Sequence, residues 1–235
     1  MKLTAEQIDQ LYLFSRQHYV EYYDLQTELV DHLANAIETQ WLENPELTFD
    51  EALNIEFKKF GIFGFMDVVE NRQCVLNKKY NKLVFKHFKQ FFAIPKIVLT
   101  IAMTLLLFSI LKVTTYKEWI IIGFYLVLIS FTFYEMIGNR KKRNKKKQSK
   151  DKKWLFEEII NQYGTLFGAI LVPFNFLLQL INHVDSILSN DYWILGLSFV
   201  SILFSLLLFI IFKVIPSKAT EYLLDTYPEY KLEKL

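Results

Sequence analysis

Asp24, Glu28, Asp31 and His32 fall within nine residues of a stretch with helical periodicity. Glu28 and His32 stand at i, i+4, with Asp24 one turn earlier, so one helix face offers two carboxylates and an imidazole to a metal ion. His32 also borders the stripe of Leu25, Leu29 and Ala36, where a histidine packs and caps a neighbouring backbone group. A second helix would have to bring further ligands. The packing role is preferred, and no metal and no cofactor are assigned. A second polar pattern lies in a long apolar run: Asn161, Gly168, Asn175 and Asn182 recur every seven residues, with Gly164 and Gln179 beside them. Polar side chains are costly in hydrocarbon, so this seam is expected to face other helices, a second copy of the chain or a wet cavity. Gly164 to Gly168 admits a close neighbouring backbone, and Pro173 removes a donor and should kink the run. Helix–helix adhesion explains the seam more simply than a solute path, because there is no buried acid–base pair and no inverted repeat. Ser198, Ser201 and Ser205 offer a small-residue face as its partner. Glu135 sits within about a turn of the basic loop that starts at Asn139, and Arg140 or Lys141 is expected to solvate it. The sequence has no glycine-rich phosphate loop, zinc-protease helix or nucleophile elbow, so no catalytic residue is assigned and no enzymatic activity is expected.

The elements around these residues are set by charge and hydropathy. Ten Lys/Arg and one Asp fall between Asn139 and Lys153, with a long apolar run on either side. Arg140, Lys141, Lys142, Arg143, Lys145, Lys146 and Lys147 form the densest part. A loop this positive stays on the cytoplasmic side of a membrane and attracts anionic lipids at about 1 kcal/mol per charge near the surface. It has no interleaved aromatics, which argues against nucleic acid as a partner. Four runs, 91–111, 119–137, 159–181 and 193–212, each approach the roughly 20 residues that a helix needs to cross the hydrocarbon. Lys96 can snorkel to the headgroups. Tyr116 and Trp119, Tyr192 and Trp193, and Trp154 mark span boundaries as interfacial aromatics. The basic segments, 78–89, 139–153 and 213–234, fall on one face if there are four spans, which places both termini in the cytoplasm.

Residues 1–76 carry five Lys/Arg against fourteen Asp/Glu, 77–153 eighteen against three, and 154–235 four against eight, giving −9, +15 and −4. The formal net charge of +2 therefore conceals an acidic head, a basic middle and a mildly acidic tail. The head reads as helical. Thr4-Ala5-Glu6-Gln7 and Thr48-Phe49-Asp50-Glu51 are capping boxes. Leu25, Leu29, Leu33 and Ile37 form a stripe of period 3.6 that Asn44-Pro45 stops, and Gly61 suits the left-handed position after a helix. No stretch alternates with period two. Cys74 is the sole cysteine, so an intrachain disulfide is excluded. The polar start, Met1-Lys2-Leu3-Thr4, lacks the apolar core of a secretory signal.

Tyr23-Asp24-Leu25-Gln26-Thr27-Glu28-Leu29-Val30-Asp31-His32-Leu33, followed by Thr48-Phe49-Asp50-Glu51-Ala52-Leu53 and Phe60-Gly61, resembles the HAAS-type helical domain found at the cytoplasmic N-terminus of many bacterial integral membrane proteins. The likeness spans about Leu11 to Arg72. It implies a regulatory or signalling membrane protein, of a kind often associated with PadR-type transcriptional regulators, and no enzyme. The expected architecture is all-α: a helical cytoplasmic head (1–76), a basic juxtamembrane helix (77–90), a four-helix transmembrane bundle (91–213) with the basic cytoplasmic loop 139–153, and a cytoplasmic tail (214–235). The expected location is the bacterial inner membrane. The expected partners are anionic lipids, a cytosolic or membrane protein and a second copy of the chain. The expected role is interaction or signalling, with a transport component lined by the third span as the alternative.

Overall fold

The computed structural model describes residues 2–148, 152–166, 168–182 and 188–234. Among the described residues every regular element is helical: α1 (Ala5–Gln17), α2 (Tyr23–Glu43), α3 (Phe49–Lys58), α4 (Met66–Gln90), α5 (Lys96–Val113), α6 (Lys117–Gln148), α7 (Leu155–Gly164), α8 (Gly168–Asn182), α9 (Asp191–Phe209) and α10 (Ala219–Thr226). A π turn, Ile210–Val214, and one further turn, Ile215–Ser217, follow α9, and a 3-10 segment, Pro228–Lys234, follows α10. The chain divides into two compact units. The first comprises Met1–Lys78, Lys150–Ile159 and Thr226–Leu235, the second Lys79–Ser149 and Ile160–Asp225.

In the first unit both capping boxes form. Thr4 accepts from the Gln7 N–H while Gln7 accepts from the Thr4 N–H, and Thr48 and Glu51 do the same for α3. The α2 stripe is the core: Leu25, Leu29, Leu33 and Ile37 are buried, with Leu11 from α1 and Ala52 and Leu53 from α3. Behind the α3–α4 turn, Phe57 meets Phe14 and Phe65 edge-on with centroids 5.1 and 5.0 Å apart. Gly61 (φ +75°) and Gly64 (φ +55°) turn the chain there in the left-handed region that glycine tolerates. A Cβ on Gly64 would also stand 2.9 Å from Phe57.

The core of this unit extends beyond the head expected at 1–76. Trp154, Leu155 and Phe156 are buried, as are Tyr227 and Tyr230. Trp154 is only 2% exposed, and its ring lies 4.8 Å from Tyr227, 5.3 Å from Tyr23 and 5.4 Å from Tyr230. It is therefore a core residue, where an interfacial marker was expected. The end of the chain is likewise folded into both units by its aromatic residues, Tyr222 in the second and Tyr227 and Tyr230 in the first.

In the second unit three helical stretches among the described residues are long and apolar enough to cross a membrane: Lys96–Val113, Lys117–Lys146 and Asp191–Ser217. Their shared core includes Leu107 and Leu111, Ile121 and Tyr125, and Ile194, Ile202 and Phe212. Tyr116, Trp119, Tyr192 and Trp193 are exposed, as interfacial aromatics would be. Two features depart from expectation. The basic stretch does not form a loop from Asn139: α6 continues through it to Gln148. Lysine and arginine are good helix formers, nothing between 139 and 148 breaks a helix, and cations suit a helix C-terminus. The run expected at 159–181 is divided. Thr165 and Leu166 donate their N–H groups to Gln162 and Tyr163 in a tight turn, and Thr165 Oγ1 donates to the Asn161 carbonyl at 2.7 Å. The helix stops at Gly164 and a new one starts at Gly168. Pro173 lies buried inside α8, so the interruption falls at the glycines, not at the proline.

Candidate functional site

Two polar centres organise the molecule, one in each unit. In the first, the starts of α2 and α7 satisfy each other. Tyr23 is the first residue of α2, and its N–H donates to the Lys153 carbonyl at 2.7 Å. Leu155 is the first residue of α7, and its N–H donates to Asp24 Oδ1 at 3.1 Å. Helix starts leave N–H groups without intrahelical partners, so each segment supplies what the other lacks across about 130 residues of chain. Asp24 Oδ2 also accepts from the Tyr227 hydroxyl at 2.8 Å. Burial raises the Asp24 carboxyl above its ordinary value against the pull of these two donors. Burial, followed by the Asp24 charge, keeps the Tyr227 phenol protonated, as a donor must be. At the edge, Lys153 pairs with Glu21 at 2.9 Å and the Lys152 ammonium sits 3.7 Å from the Tyr23 ring centroid.

The second centre is Asn139, buried in α6. Its Nδ2 donates to the Gly164 carbonyl at 3.0 Å and to the Phe212 carbonyl at 2.8 Å. Gly164 ends α7 and Phe212 lies in the π turn, two places where the regular ladder of helix bonds is interrupted. One side-chain amide thus satisfies a helix end and a π turn together. A Cβ on Gly164 would stand 3.1 Å from Pro216 and 3.4 Å from the Asn139 amide nitrogen, so glycine is needed for the approach. Nearby Glu135 pairs with Lys213 at 2.6 Å, so its partner comes from the segment after α9 and not from Arg140 or Lys141. At the opposite end of α5 and α9, Lys112 pairs with Asp191 at 2.5 Å.

The expected seam is split by the turn at 165–166. Asn161 is half-buried and Gly164 buried on α7, whereas Gly168, Asn175 and Gln179 are exposed on α8. Asn182 is the last residue of α8, and its side chain lies outside the described residues. The serine face of α9 is buried at Ser198 and Ser201, but Ser201 meets the Tyr125 hydroxyl of α6 at 2.9 Å. Its partner is thus a tyrosine and not the seam. Arg140, Lys141, Lys142 and Lys145 are exposed and Arg143 and Lys146 half-buried along the α6 extension; the Lys147 side chain lies outside the described residues. Glu28, Asp31 and His32 are exposed, and the His32 ring faces the edge of Phe60 at 6.0 Å. No group of three metal-ligating side chains gathers among the described residues.

Three residues of these centres escape a reading by pattern. Asn139 looks like the first residue of a basic loop, Trp154 like a membrane-interface aromatic, and Tyr227 like part of a tail. The available signal is the apolar pair Leu155-Phe156 directly after Trp154, which a solvated loop would not carry. Comparison with known protein families, curated proteins and solved structures finds no match to this chain.

Proposed function

We propose that the chain is a non-enzymatic, multi-pass protein of the bacterial inner membrane whose cytoplasmic helical unit serves protein interaction or signalling. One observation carries this reading: residues up to Lys78, the segment Lys150–Ile159 that leads into α7, and the last ten residues build a single compact unit. Segments that share a core lie on one side of a bilayer, so the chain crosses an even number of times between them. The α5–α6 pair satisfies this for the first return. For the second, α9 with its π turn supplies one crossing and the broken α7–α8 stretch supplies the other. α8 alone, at 15 residues, is about 22 Å long and short of the roughly 30 Å hydrocarbon, so the two pieces act together. Irregular backbone at membrane depth is tolerated where it is buried in protein, and Asn139 provides that shelter at Gly164. The Lys/Arg excess on the α6 extension supports a cytoplasmic position for the shared side and anionic lipids as its nearest partners. The resemblance of residues 11–72 to HAAS-type heads points to a regulatory role.

The exposed Asn175 and Gln179 on α8 favour one alternative, a transport component whose polar path runs along that helix. Impermeant thiol labelling of intact cells in a Cys74→Ser background tests the topology. Thr115→Cys and Ser189→Cys should label, and Asn144→Cys should label only after lysis. Labelling of Asn144→Cys in intact cells would overturn the reading. Purified protein in vesicles separates the two roles, since solute or ion flux abolished by Asn175→Leu would favour transport.

A further inference from the structure

We infer that the first unit carries a binding site for a basic α-amino acid, in the cavity bounded by the Asp24–Asp31 face of α2, Arg72 of α4, Trp154 and Tyr227. The cavity has a volume of about 290 Å3, just below the roughly 300–1,000 Å3 of ligand pockets, which suits a small ligand. Asp24, Glu28 and Asp31 stand at i, i+4 and i+7 and line one side, and Glu229 adds a fourth carboxylate from the C-terminal segment. Asp24 is committed to Leu155 and Tyr227. Glu28, Asp31 and Glu229 have no ion pair among the described residues. They leave the cavity negative and able to take an ammonium group.

Arg72 supplies the opposite demand. Arg72 lines the same cavity, within electrostatic reach of Asp24, and its Nε is buried with no hydrogen-bond partner. A planar guanidinium edge is matched best by a carboxylate, which can fork onto two of its N–H groups. Between these charges the wall is aromatic, formed by Tyr23, Trp154 and Tyr227. Such a wall packs an aliphatic stem and attracts a cation, as the Lys152 ammonium on the Tyr23 ring already illustrates. The ligand that meets all three demands has a carboxylate for Arg72, an apolar stem for the rings and ammonium or guanidinium charge for the acidic rim. Lysine, ornithine and arginine have this form. A diamine brings no acceptor to the Arg72 Nε, which has none, and a neutral amino acid leaves the rim unmatched. Because α2, α4, the α7 entry and the C-terminal segment all border the cavity, occupancy would hold together segments that are far apart in the chain.

The test uses the full chain in lipid nanodiscs and calorimetric titration at neutral pH with four probes: L-lysine, L-arginine, cadaverine, which lacks the carboxylate, and L-norleucine, which lacks the side-chain cation. Lysine or arginine should bind saturably, and cadaverine and norleucine at least about tenfold more weakly, a difference of about 1.4 kcal/mol. Arg72→Gln should remove the preference for lysine over cadaverine. Asp31→Asn and Glu28→Gln alter exposed residues and leave folding intact, and they should weaken lysine but not norleucine. Absence of saturable binding by both basic amino acids up to about 10 mM, a level weaker than about 3 kcal/mol, would overturn the site. So would cadaverine matching lysine in the unaltered protein.

Discussion

Asn139→Leu replaces one amide that serves two backbone carbonyls, Gly164 and Phe212. Leucine keeps the branched shape and leaves both carbonyls without that donor, so the loss reports chiefly on the hydrogen bonds. A destabilisation of about 1–3 kcal/mol is expected, read as a lower melting temperature in detergent and in lipid. An unchanged melt would remove Asn139 from the centre. The glycines give a paired test. Gly164→Ala must push against Pro216 and Asn139, whereas a Cβ on Gly168 meets nothing within 4 Å. The first should destabilise, and the second should be neutral or stabilising by up to about 0.5–1 kcal/mol. In the other unit, Asp24→Ala removes a cap worth about 1 kcal/mol and leaves the Tyr227 hydroxyl unpaired at about 1–3 kcal/mol. Asp24→Asn retains an acceptor for Leu155 and should cost less than half as much in chemical unfolding. His87 belongs to the same scale. Its Nε2 meets the Tyr222 hydroxyl at 2.5 Å, and burial, aided by Lys218, Lys86 and Lys96, lowers its affinity for a proton, while the Tyr222 phenol is pushed up to about 12. The neutral imidazole is therefore the form that folding favours. The contribution is fully present above the unfolded value of about 6.5 and is lost as pH falls below it. The melting temperature should drop on acidification through that window, and His87→Gln should flatten the drop.

At the scale of elements, the head was legible because its signals are local and agree. Thr4 with Gln7 and Thr48 with Glu51 sit at fixed spacing, and the α2 stripe repeats through Leu25, Leu29, Leu33 and Ile37. The α6 extension was not, because lysine-rich sequence suits a solvated loop and a solvated helix equally, and only continuity with an existing helix decides between them. Spin labels placed singly from Arg140 to Lys146 should show mobility that varies with a period near 3.6 residues. Uniform high mobility would restore the loop. The break between α7 and α8 was hidden for a different reason. Gly164 and Gly168 signal close packing and helix ends equally, and the carbonyl left by the break is answered by Asn139, 25 residues earlier in the chain. Hydropathy registers none of this, because the apolar content of 159–181 is the same whether the helix is whole or divided.

For the whole molecule, the first unit is discontinuous in the chain, and that arrangement has a measurable consequence. Residues 1–76 hold the α2 core, but Trp154 is buried against Tyr227 and Tyr230, which lie within the last ten residues. Burial of a large aromatic side chain contributes about 1.5–3 kcal/mol, and the Asp24–Tyr227 bond adds to it. A chain ending at Asp225 should therefore keep the apolar helices of the second unit and lose stability in the first. Trp154 would then become accessible to solvent. Trp119 and Trp193 are already exposed and Trp41 lies apart in α2, so a variant retaining Trp154 alone reports on this site without interference. Its emission should shift to longer wavelength, with increased acrylamide quenching, when residues 226–235 are removed. Adding a synthetic peptide of residues 219–235 should reverse the shift, and a Tyr227→Ser peptide should not. Emission unchanged by the truncation would mean that the C-terminal segment is not part of this core, and the proposed placement of both ends of the chain on one side of a membrane would lose its support.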